Sequence, residues 1–225
     1  MRPLIFCSVG TKSMPIAAKH GLLYGKHLPG KLYDDLPLYF ADQDWKKPNR
    51  EKYMLALKKH KPIQATVLDL ESEDQFDTVM SWAEEAAQYV KERVIIIPKV
   101  FGIIDRIPEK IGGKDVLLGY SVPTKYAGTE LPVWEFKNRP VHLLGGSPQK
   151  QINMLRYLNV FSADGNYIQM MANKFCAVWT ETGSIQLQEM GMGKIEKDAP
   201  YFAFDYSCQN WMAAWEKANR ELGYD

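Results

Sequence analysis

RVIIIPKV, residues 93–100, is the stretch of this chain that best predicts its fold. Its centre is four consecutive β-branched residues, without the alternation of polar and apolar side chains that a half-exposed strand shows. A strand that is apolar on both faces is typical of a parallel sheet covered by helices. The segment therefore predicts an α/β protein.

Similar apolar runs recur along the chain and alternate with helical patterns. Further strands are predicted at 3–9, 37–41, 65–70, 115–120, 140–146, 159–164 and 175–179. Helices are predicted at about 49–60, 76–87, 149–157, 166–173 and 209–222, and loops at 10–36, 120–138 and 180–208. Such alternation favours a parallel sheet, either doubly wound or closed into a barrel. We predict a compact (β/α)8 TIM-like barrel with parallel strands, as one domain spanning 1–225.

The composition is that of an ordinary globular protein, with 46% hydrophobic and 24% charged residues. The three cysteines form no CxxC pair, the four histidines lack metal-ligand spacing, and no dinucleotide or Walker motif occurs, so we expect neither metal nor cofactor. The apolar run in MRPLIFCSVG is too short for a signal peptide, and no segment is long enough to span a membrane. We expect a cytoplasmic protein, in the host cytoplasm if a phage encodes it.

Positive charge is concentrated near the amino terminus. The first 61 residues contain 12 Lys and Arg against 5 Asp and Glu, although the whole chain has a net charge of only +1. Such a region fits a phosphate-binding face, and it also fits an ordinary solvated surface. Because Tyr24, Tyr33 and Trp45 lie among the lysines, it is a candidate for holding a polynucleotide backbone and stacking its bases.

Polar residues and glycines follow the predicted strands at their carboxyl ends. They are Asp42, Asp69, Lys99, Gly119 with Tyr120 and Ser121, Gly145 with Gly146, and Asp164. Each aspartate taken alone also fits the N-cap of the next helix, and the turn at 145–148 also fits a simple helix opening. The carboxyl ends of parallel strands share one face, however, where ligands bind. We therefore expect these residues around one mouth.

In this order, the strand-end motifs resemble those of the tRNA-guanine transglycosylase superfamily, which includes phage and bacterial DNA transglycosylases that insert deazaguanines. The resemblance covers about 37–170, through PLYFADQDW, VLDLES, IPKV, VLLGYSVP, VHLLGGSP and VFSADGN. It implies a TIM barrel whose nucleophilic aspartate forms a covalent glycosyl-enzyme intermediate. The chain lacks the Cys/His zinc subdomain of the tRNA enzymes, which disfavours tRNA as the substrate. ADQDW also replaces a glycine-containing motif, so the second carboxylate is either Asp42 or Asp44.

The resemblance implies a role for each strand-end residue. Asp164 is the nucleophile and Asp42 the assisting carboxylate. The implied substrate-binding residues are Asp69, Lys99, Gly119, Tyr120, Gly145, Gly146, Ser147 and Asn166. The implied enzyme is a pentosyltransferase that replaces a base, guanine by resemblance, in DNA by a modified base such as a deazaguanine.

The expected partners are single-stranded DNA or a flipped base, together with the free modified base, and no membrane. Two other functions remain open. One is a DNA glycosylase that excises a modified base with water, and the other is a non-catalytic nucleic-acid-binding protein on a degenerate barrel. A metal-dependent phosphohydrolase is disfavoured because its usual His/Asp clusters are missing from the sequence.

Overall fold

The parallel strands close on themselves. The computed structural model describes residues 1–8, 11–44, 46–124, 128–191 and 198–224, and within them eight parallel strands form a closed barrel. In order around the barrel these are β1 (Leu4–Ser8), β2 (Leu23–Leu28), β3 (Phe40–Gln43), β4 (Gln64–Thr66), β5 (Arg93–Ile96), β7 (Lys114–Ser121), β8 (Val141–Leu144) and β9 (Val160–Gly165). The barrel closes because β5 pairs with β7 and β9 pairs with β1. The predicted TIM-like barrel is confirmed.

Helices cover much of the outer surface of the barrel. They are α1 (Met14–Lys19), α2 (Arg50–His60), α3 (Phe76–Ala87), α4 (Pro148–Met154), α5 (Tyr167–Phe175) and α6 (Ala199–Glu221). The connection from β5 to β7 instead contains a 3₁₀ turn at Ile104–Arg106 and β6 (Lys110–Ile111), which pairs antiparallel with the start of β7. A second 3₁₀ turn, Val133–Phe136, lies between β7 and β8. No helix in the described ranges combines the length and the apolarity needed to cross a bilayer.

The barrel strands separate two hydrophobic clusters, because successive side chains of a strand point to opposite faces. The larger cluster lies between the strands and the helices. The smaller one fills the lumen with Ile5, Cys7, Phe40, Ile95, Ile97 and Leu117. Polar side chains that are at least nine-tenths buried accompany it, namely Gln64, Thr66, His142, Ser162 and Asp164. The lumen is therefore partly polar.

An irregularity between β8 and β9 sets which residues of β9 face the lumen. Val141 pairs with Val160, but His142 pairs with Ser162, so Phe161 is an extra residue in β9. A bulge of this kind re-aims the side chains that follow it. Ser162 then contacts His142 inside the barrel.

The loop predicted at 10–36 is wrong, because it contains both α1 and the barrel strand β2. β2 reads LYGKHL, which lacks the continuous apolar run of a strand such as β5. Gly25 lies where a Cβ atom would be 2.8 Å from Ile5 Cγ2 and 3.1 Å from Phe40 Cδ1. The side chains of the neighbouring strands fill this part of the lumen, so the strand needs a glycine there.

The strand predicted at 175–179 is a strand, but it is not part of the barrel. β10 (Ala177–Thr180) pairs antiparallel with β11 (Gly183–Gln186), which lies in the predicted loop 180–208. The hairpin packs against α6, where Ser207 Oγ accepts a hydrogen bond of 2.9 Å from the amide of Trp179. α6 itself begins at Ala199 rather than near residue 209. The apolar character of β10 thus reflects burial under a helix.

Candidate active site

A cleft of about 530 Å³ opens at the carboxyl ends of the barrel strands. This volume lies within the range of small-molecule sites. Of the predicted site residues, the cleft is lined by Asp42, Asp69, Lys99, Gly145 and Gly146. The expectation that strand-end residues meet at one mouth therefore holds for these five.

Asp42 lies near the carboxyl end of β3, and its side chain lines the cleft. Its Oδ1 accepts hydrogen bonds from the Thr66 hydroxyl at 2.7 Å and from the Gln43 amide at 3.0 Å. Its Oδ2 lies 3.4 Å from Nδ1 of His27. Burial raises the pKa of the Asp42 carboxyl, His27 lowers it, and the nearby carboxylate of Asp164 raises it again. Asp42 consequently retains its proton to a higher pH than an ordinary aspartic acid does.

Asp69 and Lys99 form a second polar pair in the cleft wall. Lys99 Nζ lies 3.9 Å from Asp69 Oδ2 and donates a 3.0 Å hydrogen bond to Ser121 Oγ. Burial raises the pKa of Asp69 to about 6, although the charge of Lys99 opposes that rise. Together the pair offers an acceptor and a donor to one edge of a ligand.

The raised pKa of Asp69 predicts that Asp69→Asn stabilises the protein at neutral pH. An acid whose pKa is higher in the folded state binds its proton more tightly there, so ionisation weakens folding as pH rises from about 4 to about 6. Above pH 6 we expect the variant to exceed the wild type in free energy of unfolding by about 1–3 kcal/mol. Urea unfolding at pH 4 and pH 7.5 measures the difference. A variant that is less stable than the wild type at pH 7.5 would contradict this expectation.

Asp164 lies inside β9 and is not the cap of the next helix. The N-cap of α5 is Asn166, and the Asp164 side chain is only 8% exposed. It does not line the cleft, but it is close enough for its charge to raise the pKa of Asp42. The alternative explanation of Asp164 as a helix cap is therefore wrong.

Gln151 of α4 ties the glycine turn to the strand that carries Asp164. Its fully buried side-chain amide donates to the carbonyl oxygens of Gly145 at 2.7 Å and Asp164 at 2.6 Å. The Gly145 amide also donates to the Asp164 carbonyl at 3.1 Å. The ends of β8 and β9 are thus two adjacent parts of one rim.

Two glycines shape this end of the barrel. Gly146 has a φ of +80°, and a Cβ atom there would lie 2.6 Å from Val122 Cγ1, so both backbone and space require glycine. Gly119 does not itself line the cleft, but a Cβ there would lie 2.5 Å from Cγ1 of Ile97, which does. A side chain at either position would intrude on the cleft wall.

The other predicted substrate-binding residues do not line this cleft. The Tyr120 ring packs against Phe136 in the outer core, with ring centroids 5.0 Å apart. Ser147 is the N-cap residue of α4. Asn166 lines a separate cleft of about 400 Å³ together with Lys12 and Gln169.

Several residues of the cleft were not predicted as site residues, and of these His27 has the side chain best suited to proton transfer. Its ring is 49% exposed and lies beside Asp42. Glu71 and Glu130 also line the cleft, and so does Ser121, which was predicted as a strand-end residue. His27 was missed because β2 was not predicted, and recognition of that strand would have placed His27 near its carboxyl end.

A second cleft of about 490 Å³ adjoins the first and shares His27 with it. Exposed Lys47 and Lys52 line it, as does Asp44, whose Oδ1 accepts hydrogen bonds from the amides of Lys46 and Lys47. Asp44 thus lines the second cleft, whereas Asp42 lines the first.

Of the three aromatic residues of the basic region, Tyr24 is not part of a stacking surface. Tyr24 is buried, and its hydroxyl accepts a 3.0 Å hydrogen bond from the amide of Tyr33. Tyr24 is thus unable to stack on a base, and Trp45 lies outside the described residues. For Tyr33, which is half-buried, and for the lysines, the prediction is not contradicted and stays a prediction.

Within the described ranges, no group of three His, Cys, Asp or Glu side chains is arranged to hold a metal ion. A protein-family model, DUF6610, described as a family of unknown function, matches residues 18–216. The matched span includes every predicted site residue from Asp42 to Asn166. No curated protein matches the chain.

Proposed function

The chain belongs to DUF6610, a family of unknown function, and from the chemistry of its mouth we propose that it exchanges a base in DNA through a covalent intermediate on Asp164. The observation that carries the proposal is a pair of nearby carboxylates, Asp42 and Asp164, in different environments beside a nucleoside-sized cleft. A carboxyl whose pKa is raised by burial and by a neighbouring carboxylate is suited to the acid role, which leaves the nucleophile role to that neighbour. The resemblance to the transglycosylases supports the same division.

In the first half-reaction, a carboxylate oxygen of Asp164 attacks C1′ of the target nucleotide. A C1′–O bond forms while the C1′–N bond breaks, and the electron pair of the broken bond leaves with the base. Asp42, whose pKa is raised by burial, donates the proton that this leaving nitrogen requires. The product is a glycosyl ester on Asp164 and a neutral free base.

In the second half-reaction, the incoming base attacks C1′ and displaces the carboxylate of Asp164. The proton on its nitrogen passes to Asp42, which is thereby restored for the next cycle. Dividing one difficult displacement into two is the usual advantage of covalent catalysis. Water in place of the incoming base would give a glycosylase instead.

Base recognition is assigned to Asp69 and Lys99. Their acceptor and donor groups match the adjacent N–H and carbonyl groups on the edge of guanine or a deazaguanine. A base within a duplex cannot reach such a cleft, so the DNA is single-stranded or the base is flipped. Lys47 and Lys52, in the adjoining cleft, supply positive charge for the backbone phosphates.

The proposal is tested by incubating the protein with single-stranded DNA and radiolabelled guanine, and then with a radiolabelled deazaguanine. Label incorporated into the DNA is the expected result. Abasic sites without incorporated label would indicate hydrolysis instead of base exchange. A third outcome is that neither incorporated label nor abasic sites are found, and that DNA binding survives the combined Asp69→Ala and Asp164→Ala changes. That outcome would indicate a non-catalytic binding protein.

A further inference from the structure

The lumen contains a buried histidine for which the proposed reaction gives no role. His142, on β8, has no exposed surface, and its ring packs against Phe40 with centroids 4.7 Å apart. Its Nδ1 lies 2.7 Å from Ser162 Oγ and 3.3 Å from Gln64 Nε2. Its Nε2 lies 3.3 Å from Asp164 Oδ1. Groups from three strands thus fix the orientation of the imidazole.

The hydrogen bonds around Nδ1 determine which ring nitrogen carries the proton. Gln64 Nε2 is an amide donor, and it lies within hydrogen-bonding distance of both His142 Nδ1 and Ser162 Oγ. Ser162 Oγ therefore accepts from Gln64 and donates to Nδ1. Because Nδ1 is an acceptor, a neutral imidazole carries its proton on Nε2, which faces Asp164.

His142 Nε2 and Asp164 Oδ1 are both buried, and neither has a hydrogen-bond partner of good geometry in the described part of the chain. Their 3.3 Å separation is close to that of a hydrogen bond. Buried polar atoms are rarely left unpaired. A small rotation of the ring or carboxylate satisfies both atoms at once.

We propose that His142 is a positioning residue for Asp164. Its Nε2–H holds Oδ1, which leaves Oδ2 as the oxygen that attacks C1′. The consequence for catalysis rests on the proposed function, whereas the hydrogen bond itself does not. Ser162, His142 and Asp164 form a row, but Ser162 has no exposed surface and cannot reach a substrate. Its role in the row is to fix the tautomer of His142.

The first test needs no substrate. The ¹⁵N resonances of His142 in the free wild-type protein, assigned by their loss in His142→Gln, report the protonation of each ring nitrogen. We expect a bare Nδ1 and a protonated Nε2 whose hydrogen exchanges slowly with water. A proton on Nδ1 with a bare Nε2 would overturn the proposal, whether or not the protein is an enzyme.

The second test compares His142→Gln with His142→Met. Glutamine retains an N–H donor near the position of Nε2, whereas methionine fills similar space without a donor. With single-stranded DNA, we expect His142→Met to form the covalent adduct about 10- to 100-fold more slowly than wild type, the usual effect of losing a group that orients a reactive one. His142→Gln should recover most of that rate, and both variants should bind DNA as the wild type does.

Equal losses in the two variants, or a parallel loss of DNA binding, would mean that His142 only packs the lumen and would overturn the proposal. If His142→Met unfolds at the assay temperature, the wild-type ¹⁵N spectrum decides the question. Absence of any adduct in the wild type would remove the proposed function, and the spectrum would still decide the contact between His142 and Asp164.

Discussion

Asp164→Asn should abolish base release from DNA while leaving the fold and DNA binding intact. An amide is a very poor nucleophile at an anomeric carbon, so the covalent route is lost. We expect the rate to fall by at least about 10³-fold, which corresponds to roughly 4 kcal/mol of transition-state stabilisation. Quantifying free base released from single-stranded DNA measures this loss.

The same variant has a direct structural readout. Wild-type protein incubated with DNA should give an adduct that survives denaturation, and the Asn variant should give none. The N-cap residue of α5 is Asn166 and not Asp164. Loss of a helix cap therefore cannot explain a defect of the Asp164→Asn variant. Near-normal base release by Asp164→Asn would end the nucleophile assignment and most of the case for a transglycosylase.

Asp42→Asn should slow base release by about 10²- to 10⁴-fold, the usual contribution of a positioned general acid. Asp44→Asn is its matched control, because Asp44 lies two residues away and lines the adjoining cleft. An asparagine at position 44 can still accept the hydrogen bonds that Asp44 accepts from backbone amides. We therefore expect activity close to that of the wild type. Base-release rates of the two variants, measured side by side, test the assignment.

A comparison of two substrates distinguishes an acid role of Asp42 from a purely structural role. Guanine methylated at N7 is already positively charged and departs without a proton. The defect of Asp42→Asn should therefore shrink on DNA that contains this base. A defect of the same size on both substrates, or a larger defect in Asp44→Asn, would contradict the role assigned to Asp42.

Much of the barrel was predictable because its strands carry a strong local signal. A run such as RVIIIPKV is apolar on both faces because helices cover one side and the lumen packs against the other. β2 lacks that signal, since Gly25 makes room for its neighbours and His27 reaches the mouth. β10 has the signal without being a barrel strand, because α6 buries it. The sequence therefore predicts that such segments are buried, but it does not predict which element buries them.

The candidate site was predictable to the extent that it depends on strand ends. Asp42, Asp69 and Lys99 share the cleft because the carboxyl ends of parallel strands meet at one face. The contact between His142 and Asp164 was not predictable, because it depends on the bulge in β9 and on packing across the lumen. No local pattern in the sequence encodes either of these.

Closure of the barrel between β1 and β9 has a consequence for protein synthesis. One edge of β1 pairs with β2, which is translated soon after it, but the other edge pairs with β9, which is translated much later, as shown by the pairing of Ile5 with Asp164. At about 5–20 residues per second, that second edge stays open for roughly 10–30 s while the ribosome makes the intervening chain. An open strand edge can pair with other nascent chains, so we expect production of this protein in cells to depend on chaperones that shield it.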